Sequence, residues 1–121
     1  MKVIIIGYGI QGRKRQLSLK KKEFICSVDP YSKKAKYKDI KEVPSNLYDT
    51  VFICTPDKEK VKIIEFCIKN KKNCLIENPF PICSQKKIKY LEKLSNKNKL
   101  VFYVAYNHRF EPHIIKIRDY L

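Results

Sequence analysis

Apolar residues in this chain come in short, β-branched runs, separated by stretches rich in lysine in which apolar positions recur every three or four residues. Lys2 to Ile6 is the first run. It is continuous rather than alternating and ends at a glycine, the pattern of a strand buried on both faces of a parallel sheet. Glu23 to Val28 predicts a second strand, closed by Asp29-Pro30 because proline cannot continue a ladder. Tyr48 to Cys54, Asn73 to Glu77 and Leu100 to Ala105 predict three more. Between them, Ile10 to about Lys21 predicts a helix whose apolar stripe is thin, formed by Ile10, Leu17 and Leu19. Val61, Ile64 and Ile68 have helical spacing within Asp57 to Lys71, with acidic residues at the start and lysines at the end, as the helix dipole favours. Ser84 can cap a further helix reaching about Asn96, in which Ile88, Leu91 and Leu94 face inward together. Residues 31–47 carry many lysines, a short strand pattern at Tyr37 to Ile40 and a break at Val43-Pro44, so the helix due there is short or missing. Alternating strands and helices of this length predict an α/β fold, a doubly wound parallel sheet.

A length of 121 residues allows one core. Neither repeats nor Gly/Ser linkers interrupt residues 1–105, which are expected to be a single domain, with 106–121 beginning a connection to something else. A hydrophobic fraction of 44% and an aromatic fraction of 12% suffice to build that core and exclude wholesale disorder. The run Val3 to Ile6 is too short for a signal-peptide core or a membrane span. Five cysteines, Cys26, Cys54, Cys67, Cys74 and Cys83, form an odd set with no C-x-x-C pair, which predicts reduced thiols, mostly in the core, in a cytoplasmic protein. The net charge of +15 invites a nucleic-acid reading, yet only four of the 27 basic residues are arginine (Arg13, Arg15, Arg109 and Arg118) and the lysines are spread along the whole chain. Abundant Lys, Ile, Asn and Tyr with few Ala and Gly point instead to A/T-rich codons and a solvated basic surface.

All three glycines of the chain fall in Gly7-Tyr8-Gly9-Ile10-Gln11-Gly12. This G-x-G-x-x-G lies between a predicted strand and a predicted helix, which is the context of a Rossmann-type dinucleotide turn. There Gly7 makes the tight turn, Gly9 admits a pyrophosphate to the backbone, and Gly12 lets helix approach strand; the helix N-terminus offers free N–H groups to phosphate. Asp29, at the end of the second predicted strand, is placed to accept the hydroxyls of the adenosine ribose, which favours NAD. Lys33 and Lys34 are near enough in sequence to take a 2′-phosphate, which leaves NADP open. His108 and His113 lack cysteine or carboxylate companions at metal-ligand spacing, so no metal site is expected.

Tyr48-Asp49-Thr50-Val51-Phe52-Ile53-Cys54-Thr55-Pro56, then Leu75-Ile76-Glu77-Asn78-Pro79, then Tyr106-Asn107-His108-Arg109-Phe110-Glu111-Pro112 resemble, in order and spacing, successive motifs of the Gfo/Idh/MocA oxidoreductases. The resemblance covers nearly the whole chain. It implies a nicotinamide cofactor lying across the carboxyl ends of the strands, with Thr55, Pro56, Glu77 and Asn78 lining its ribose and nicotinamide. Asn107 and Arg109 would support the cofactor's neighbourhood or a domain junction, or be purely structural. Where similar proteins carry Glu-Lys-Pro, this chain has Glu77-Asn78-Pro79; an amide can hydrogen-bond but cannot exchange a proton near neutral pH. The family's substrate domain, with its catalytic histidine, would follow the last residues of this sequence. Two readings result: a cofactor-binding domain that is catalytically incomplete alone and is completed by a substrate domain in trans, or a nucleotide-sensing or interaction module that has lost catalysis.

Overall fold

The computed structural model describes residues 1–121. Its strands are β1 (Val3–Ile6), β2 (Phe24–Val28), β3 (Thr50–Ile53), β4 (Asn73–Glu77) and β5 (Phe102–Ala105), and its helices are α1 (Ile10–Leu17), α2 (Asp57–Lys69), α3 (Gln85–Lys97) and α4 (Pro112–Tyr120). The five strands form one all-parallel sheet in the order β2-β1-β3-β4-β5. The order reverses between β1 and β3, which makes the carboxyl ends of those two strands the topological switch point.

Strand alternation sorts the side chains onto two unequal faces. Ile4, Ile6, Val51, Ile53, Cys74 and Ile76 meet Ile64, Cys67 and Ile68 of α2 and Leu91 of α3 in a cluster of 14 buried residues. On the other face Val3, Ile5 and Phe52 form a cluster of only three, with Tyr8, Leu19, Phe24 and Leu75 packed against it. Of the predicted inward faces, Ile64, Ile68 and Leu91 lie in this cluster and Leu94 packs against it, while Val61 and Ile88 are half-buried outside it; the doubly wound parallel sheet is observed. Cys26, Cys67 and Cys74 are buried, Cys54 and Cys83 are half-buried, and all five are free thiols. No helix is long and apolar enough to cross a membrane.

Helix α1 departs from expectation. Ile10 and Leu17 do not pack inward but are 72% and 87% exposed, and Gly12 is the only buried residue of the helix. The helix also stops at Leu17 instead of continuing toward Lys21. The Ser18 and Leu19 N–H groups bond back to the carbonyls of Arg15 and Gln16, tightening the last turn, and the Ser18 hydroxyl donates to the same Arg15 carbonyl. This early stop lets Leu19 turn onto the small cluster. A helix that makes its contact through an absent side chain needs no apolar stripe, so periodicity was the wrong guide to its length.

The segment 31–47 contains no α-helix. Tyr37 makes a single parallel bridge to Val28 in place of the expected strand, and two 3-10 turns follow, Ile40–Glu42 and Ser45–Leu47. Asp39 caps the first by accepting from the Lys41 N–H at 2.8 Å. The apolar runs Tyr48 to Cys54 and Leu100 to Ala105 yield shorter strands, although the Cys54 N–H still bonds the Ile6 carbonyl at 2.7 Å.

Two lysines are exceptions to the solvated basic surface, because they are buried. Lys72 donates to the carbonyls of Ser45 at 2.5 Å and Tyr48 at 2.7 Å, with its ammonium 4.5 Å from the centre of the Tyr48 ring. This ties the irregular 45–48 segment to the start of β4. Lys60 does comparable work at the other end of the sheet.

The glycine turn divides into structural and non-structural positions. A Cβ on Gly12 would lie 2.1 Å from the Gly7 carbonyl oxygen, whereas a Cβ on Gly9 would meet nothing within 4 Å. Gly12→Ala is expected to lower the unfolding free energy by about 1–3 kcal/mol through overpacking. Gly9→Ala should change it by no more than about 1 kcal/mol, its only cost being a poorer N-cap. Urea denaturation of the two variants checks this ordering.

Candidate functional site

The carboxyl ends of β1 and β3 bound a groove of about 590 Å³, lined by Gly7, Tyr8, Gly9, Arg13, Asp29, Tyr31, Ser32, Lys33, Lys34, Cys54 and Pro56. Its geometry begins at Gly7. With φ +87° this residue occupies the left-handed region, and a Cβ there would come within 2.6 Å of the Cys54 carbonyl group. The tight turn and the close approach of β1 to the end of β3 are thus one requirement. Gly9 is the N-cap of α1, which has neither a side-chain cap nor an acidic residue in its first turn. Its leading N–H groups remain available for an anion, and the space over Gly9 is open.

Asp29 faces this turn. Its carboxylate accepts the N–H of Tyr8 at 2.7 Å on one oxygen, and the N–H groups of Tyr31 and Ser32 at 2.8 and 3.0 Å on the other. One side chain therefore joins the glycine turn to the 31–34 loop. Burial alone would raise its pKa, but the N–H groups of Tyr31, Tyr8 and Ser32 and the charge of Lys38 hold it below the ordinary 3.8. Cys54, on the groove wall, is pushed up to about 12, by burial first and by the Glu77 carboxylate second, against the opposing charges of Arg15 and Lys60. The thiol stays protonated and is not a nucleophile at neutral pH.

Gly7, Tyr8, Gly9, Asp29 and Pro56 are brought together in the groove, along with Lys33 and Lys34. The other expected residues are placed differently. Ile10 points to solvent, and Gly12 is buried against Gly7. Gln11 turns across the sheet end and donates to Glu77 Oε2 at 3.1 Å. Arg15, one helical turn further along α1, pairs with the other oxygen of Glu77. Glu77 is thus a buried anchor between α1 and β4, with both carboxylate oxygens engaged. Thr55 is half-buried with its hydroxyl oxygen unpartnered, as is one terminal nitrogen of Arg15. Asn78 is exposed beside the anchor. Asn107 and Arg109 lie in an exposed 3-10 turn, Asn107–Phe110, while His108 and His113 both contact the Glu111 carboxylate.

Sequence reasoning missed Arg13, Tyr31 and Ser32 in the groove, and Arg15 and Lys60 beneath it. The i, i+4 spacing of Gln11 and Arg15 places both on one helix face, a signal that they act together. Nothing in the local pattern distinguished Lys60 from its many neighbours. Its ammonium donates to Asp57 Oδ1 and to the carbonyls of Glu77 and Pro79 at 2.8, 2.8 and 2.6 Å.

A parallel sheet with this order, a glycine turn opening an uncapped helix, and an acidic residue at the end of the neighbouring strand β2 define a dinucleotide-binding Rossmann domain. Residues 1–106 match the family described as "Oxidoreductase family, NAD-binding Rossmann fold", the Gfo/Idh/MocA oxidoreductases, and the chain belongs to that family. Among solved structures it is similar to the UDP-N-acetylglucosamine 3-dehydrogenase of Acidithiobacillus ferrooxidans, with TM-score 0.82 and 20% identity over 99% of this chain and 43% of that one. The myo-inositol 2-dehydrogenase of Lactobacillus plantarum gives TM-score 0.80 and 16% identity over 98% and 41%. The scyllo-inositol dehydrogenase of Lactobacillus casei gives 0.76 and 16% over 98% and 40%. The chain therefore spans about two fifths of the length of these relatives. No match is found among the curated proteins compared.

The bonds to Asp29 carry a pH dependence whose sign is fixed. A carboxyl held below 3.8 in the folded state contributes stability that is complete above that pH and is lost as pH falls through the lower, folded value. Asp29→Asn should flatten this acid limb, measured as the difference in urea midpoint between the variant and the parent from pH 6 down to about pH 3.

Proposed function

We propose that this chain is the cofactor half of an oxidoreductase that exchanges hydride between a nicotinamide dinucleotide and a sugar-like hydroxyl or carbonyl, and that alone it binds cofactor without turnover. The observation that carries this reading is the open space over Gly9 at the uncapped start of α1, beside Asp29 at the end of β2. Beyond a poorer N-cap, only a ligand makes a side chain at Gly9 costly. The bound cofactor supplies the hydride chemistry, and the protein supplies position and electrostatics. The free N–H groups at the start of α1 hold the pyrophosphate in the space over Gly9, Gly7 and Tyr8 shape the turn with their own N–H groups spent on Val28 and Asp29, and Pro56 and Thr55 border the path toward β4. Asn78 offers a hydrogen bond to substrate where a proton donor would otherwise stand.

Asp29 favours NAD over NADP, because its ionised carboxylate repels a 2′-phosphate and can still accept a ribose hydroxyl. Arg13, Lys33 and Lys34 pull the other way. A substrate domain supplied in trans would complete the enzyme, and five free cysteines suit a reducing cytoplasm. The exposed amide of Asn78 favours a second reading, a module that senses the nucleotide and no longer catalyses.

Titration by NADH fluorescence should show saturable binding that Gly9→Val abolishes while leaving the far-UV circular dichroism unchanged. Binding that survives Gly9→Val, or none at about millimolar NADH, sinks the proposal. NADPH should bind about tenfold more weakly than NADH, and the reverse order would assign the site to NADP through the lysines. Supplying a substrate domain in trans to Asn78→Lys separates enzyme from sensor. Turnover in the variant supports a split enzyme, and its absence supports the sensing module.

A further inference from the structure

Lys60 is 2% exposed and sits in the first turn of α2. Both facts oppose it, because burial strips the ammonium of water and a helix N-terminus repels positive charge. All three of its N–H donors are used, one on Asp57 and two on the carbonyls of Glu77 and Pro79. Those two carbonyls lie at and beyond the last rung of the sheet, where Glu77 pairs with Ala105 and the chain leaves β4. Glu77 is thus gripped from both faces, through its carbonyl by Lys60 and through its carboxylate by Gln11 and Arg15. Asn78 is carried between the two pinned carbonyls.

The strand order gives this clamp a direction. A dinucleotide whose adenosine lies at Asp29 after β2, and whose pyrophosphate lies at Gly7–Gly9 after β1, continues past Thr55 and Pro56 after β3 to the Glu77–Pro79 segment at the end of β4. We propose that Lys60 is a positioning residue for the nicotinamide half of the cofactor: by pinning the Glu77 and Pro79 carbonyls it sets where Asn78 and its segment meet the ring, without touching the cofactor itself. This inference rests on the dinucleotide reading above.

The test compares NADH with ADP-ribose, which lacks only the nicotinamide, on the parent chain, Lys60→Arg and Lys60→Met. NADH affinity should fall in the order parent, Arg, Met, by about tenfold in the last, while ADP-ribose affinity stays within about twofold throughout. The emission enhancement of bound NADH should fall with its affinity. Equal loss of both ligands would show a merely structural role and overturn the proposal, as would unchanged NADH binding. If Lys60→Met does not fold, Lys60→Arg decides: NADH weakened by about threefold with ADP-ribose unchanged supports positioning, and any parallel change overturns it. A parent chain that binds ADP-ribose and NADH equally well overturns the Lys60 role alone. One that binds neither overturns the dinucleotide reading and the Lys60 role with it.

Discussion

Helix α1 lies against the sheet through a contact between two backbones, and the position of everything at the carboxyl end follows from it. The missing side chain of Gly12 leaves room for the Gly7 carbonyl, and the missing side chain of Gly7 leaves room for the end of β3 at Cys54 and Thr55. These two approaches, made by adjacent turns of one short segment, draw β1, β3 and α1 to a single point. Neither Ile10 nor Leu17 contributes apolar burial there, so close backbone packing replaces the hydrophobic stripe that usually holds a helix to a sheet. The start of α1 is thereby fixed at the switch point with its N–H groups unspent.

Around that point two carboxylates act as braces. Asp29 ties the glycine turn to the 31–34 loop through three N–H groups, and Glu77 ties α1 to β4 through Gln11 and Arg15. Each stands across a different gap in the sheet's upper edge, one over β2 and one over β4. A chain with a net charge of +15 thus braces its groove with two carboxylates, one held by backbone N–H groups and the other by Gln11 and Arg15. Excess lysine elsewhere raises the surrounding positive potential, which suits an anionic dinucleotide without specifying it.

Much of the fold was legible in the residues themselves. Five apolar runs, each bounded by glycine, proline or a charged turn, predicted five parallel strands, and the periodicities of α2 and α3 named Ile64, Ile68, Leu91 and Leu94, which meet the large core cluster. Segments without such a signal were harder to read: the missing helix in 31–47 was expected, but the short strand at Tyr37 to Ile40 is only a single bridge. The length of α1 could not be read from a stripe it does not use, and the lysine-rich 31–47 segment resolved into turns because it has no apolar face to bury as a helix. The groove residues Gly7, Gly9 and Asp29 were legible because each has a local physical reason to be that residue type.

The sequence by itself determined the alternation of strands and helices, the glycine turn and the family to which the chain belongs, because these depend on residue type and on spacing along one segment. Only the tertiary structure decided which charged side chains leave the solvent. Glu77 and Arg15 are 62 residues apart in the chain, and Lys60 reaches carbonyls up to 19 residues away. A lysine that fills its three donors inside the protein carries the same letter as one that extends into water, and only the position of its acceptors in space tells the two apart.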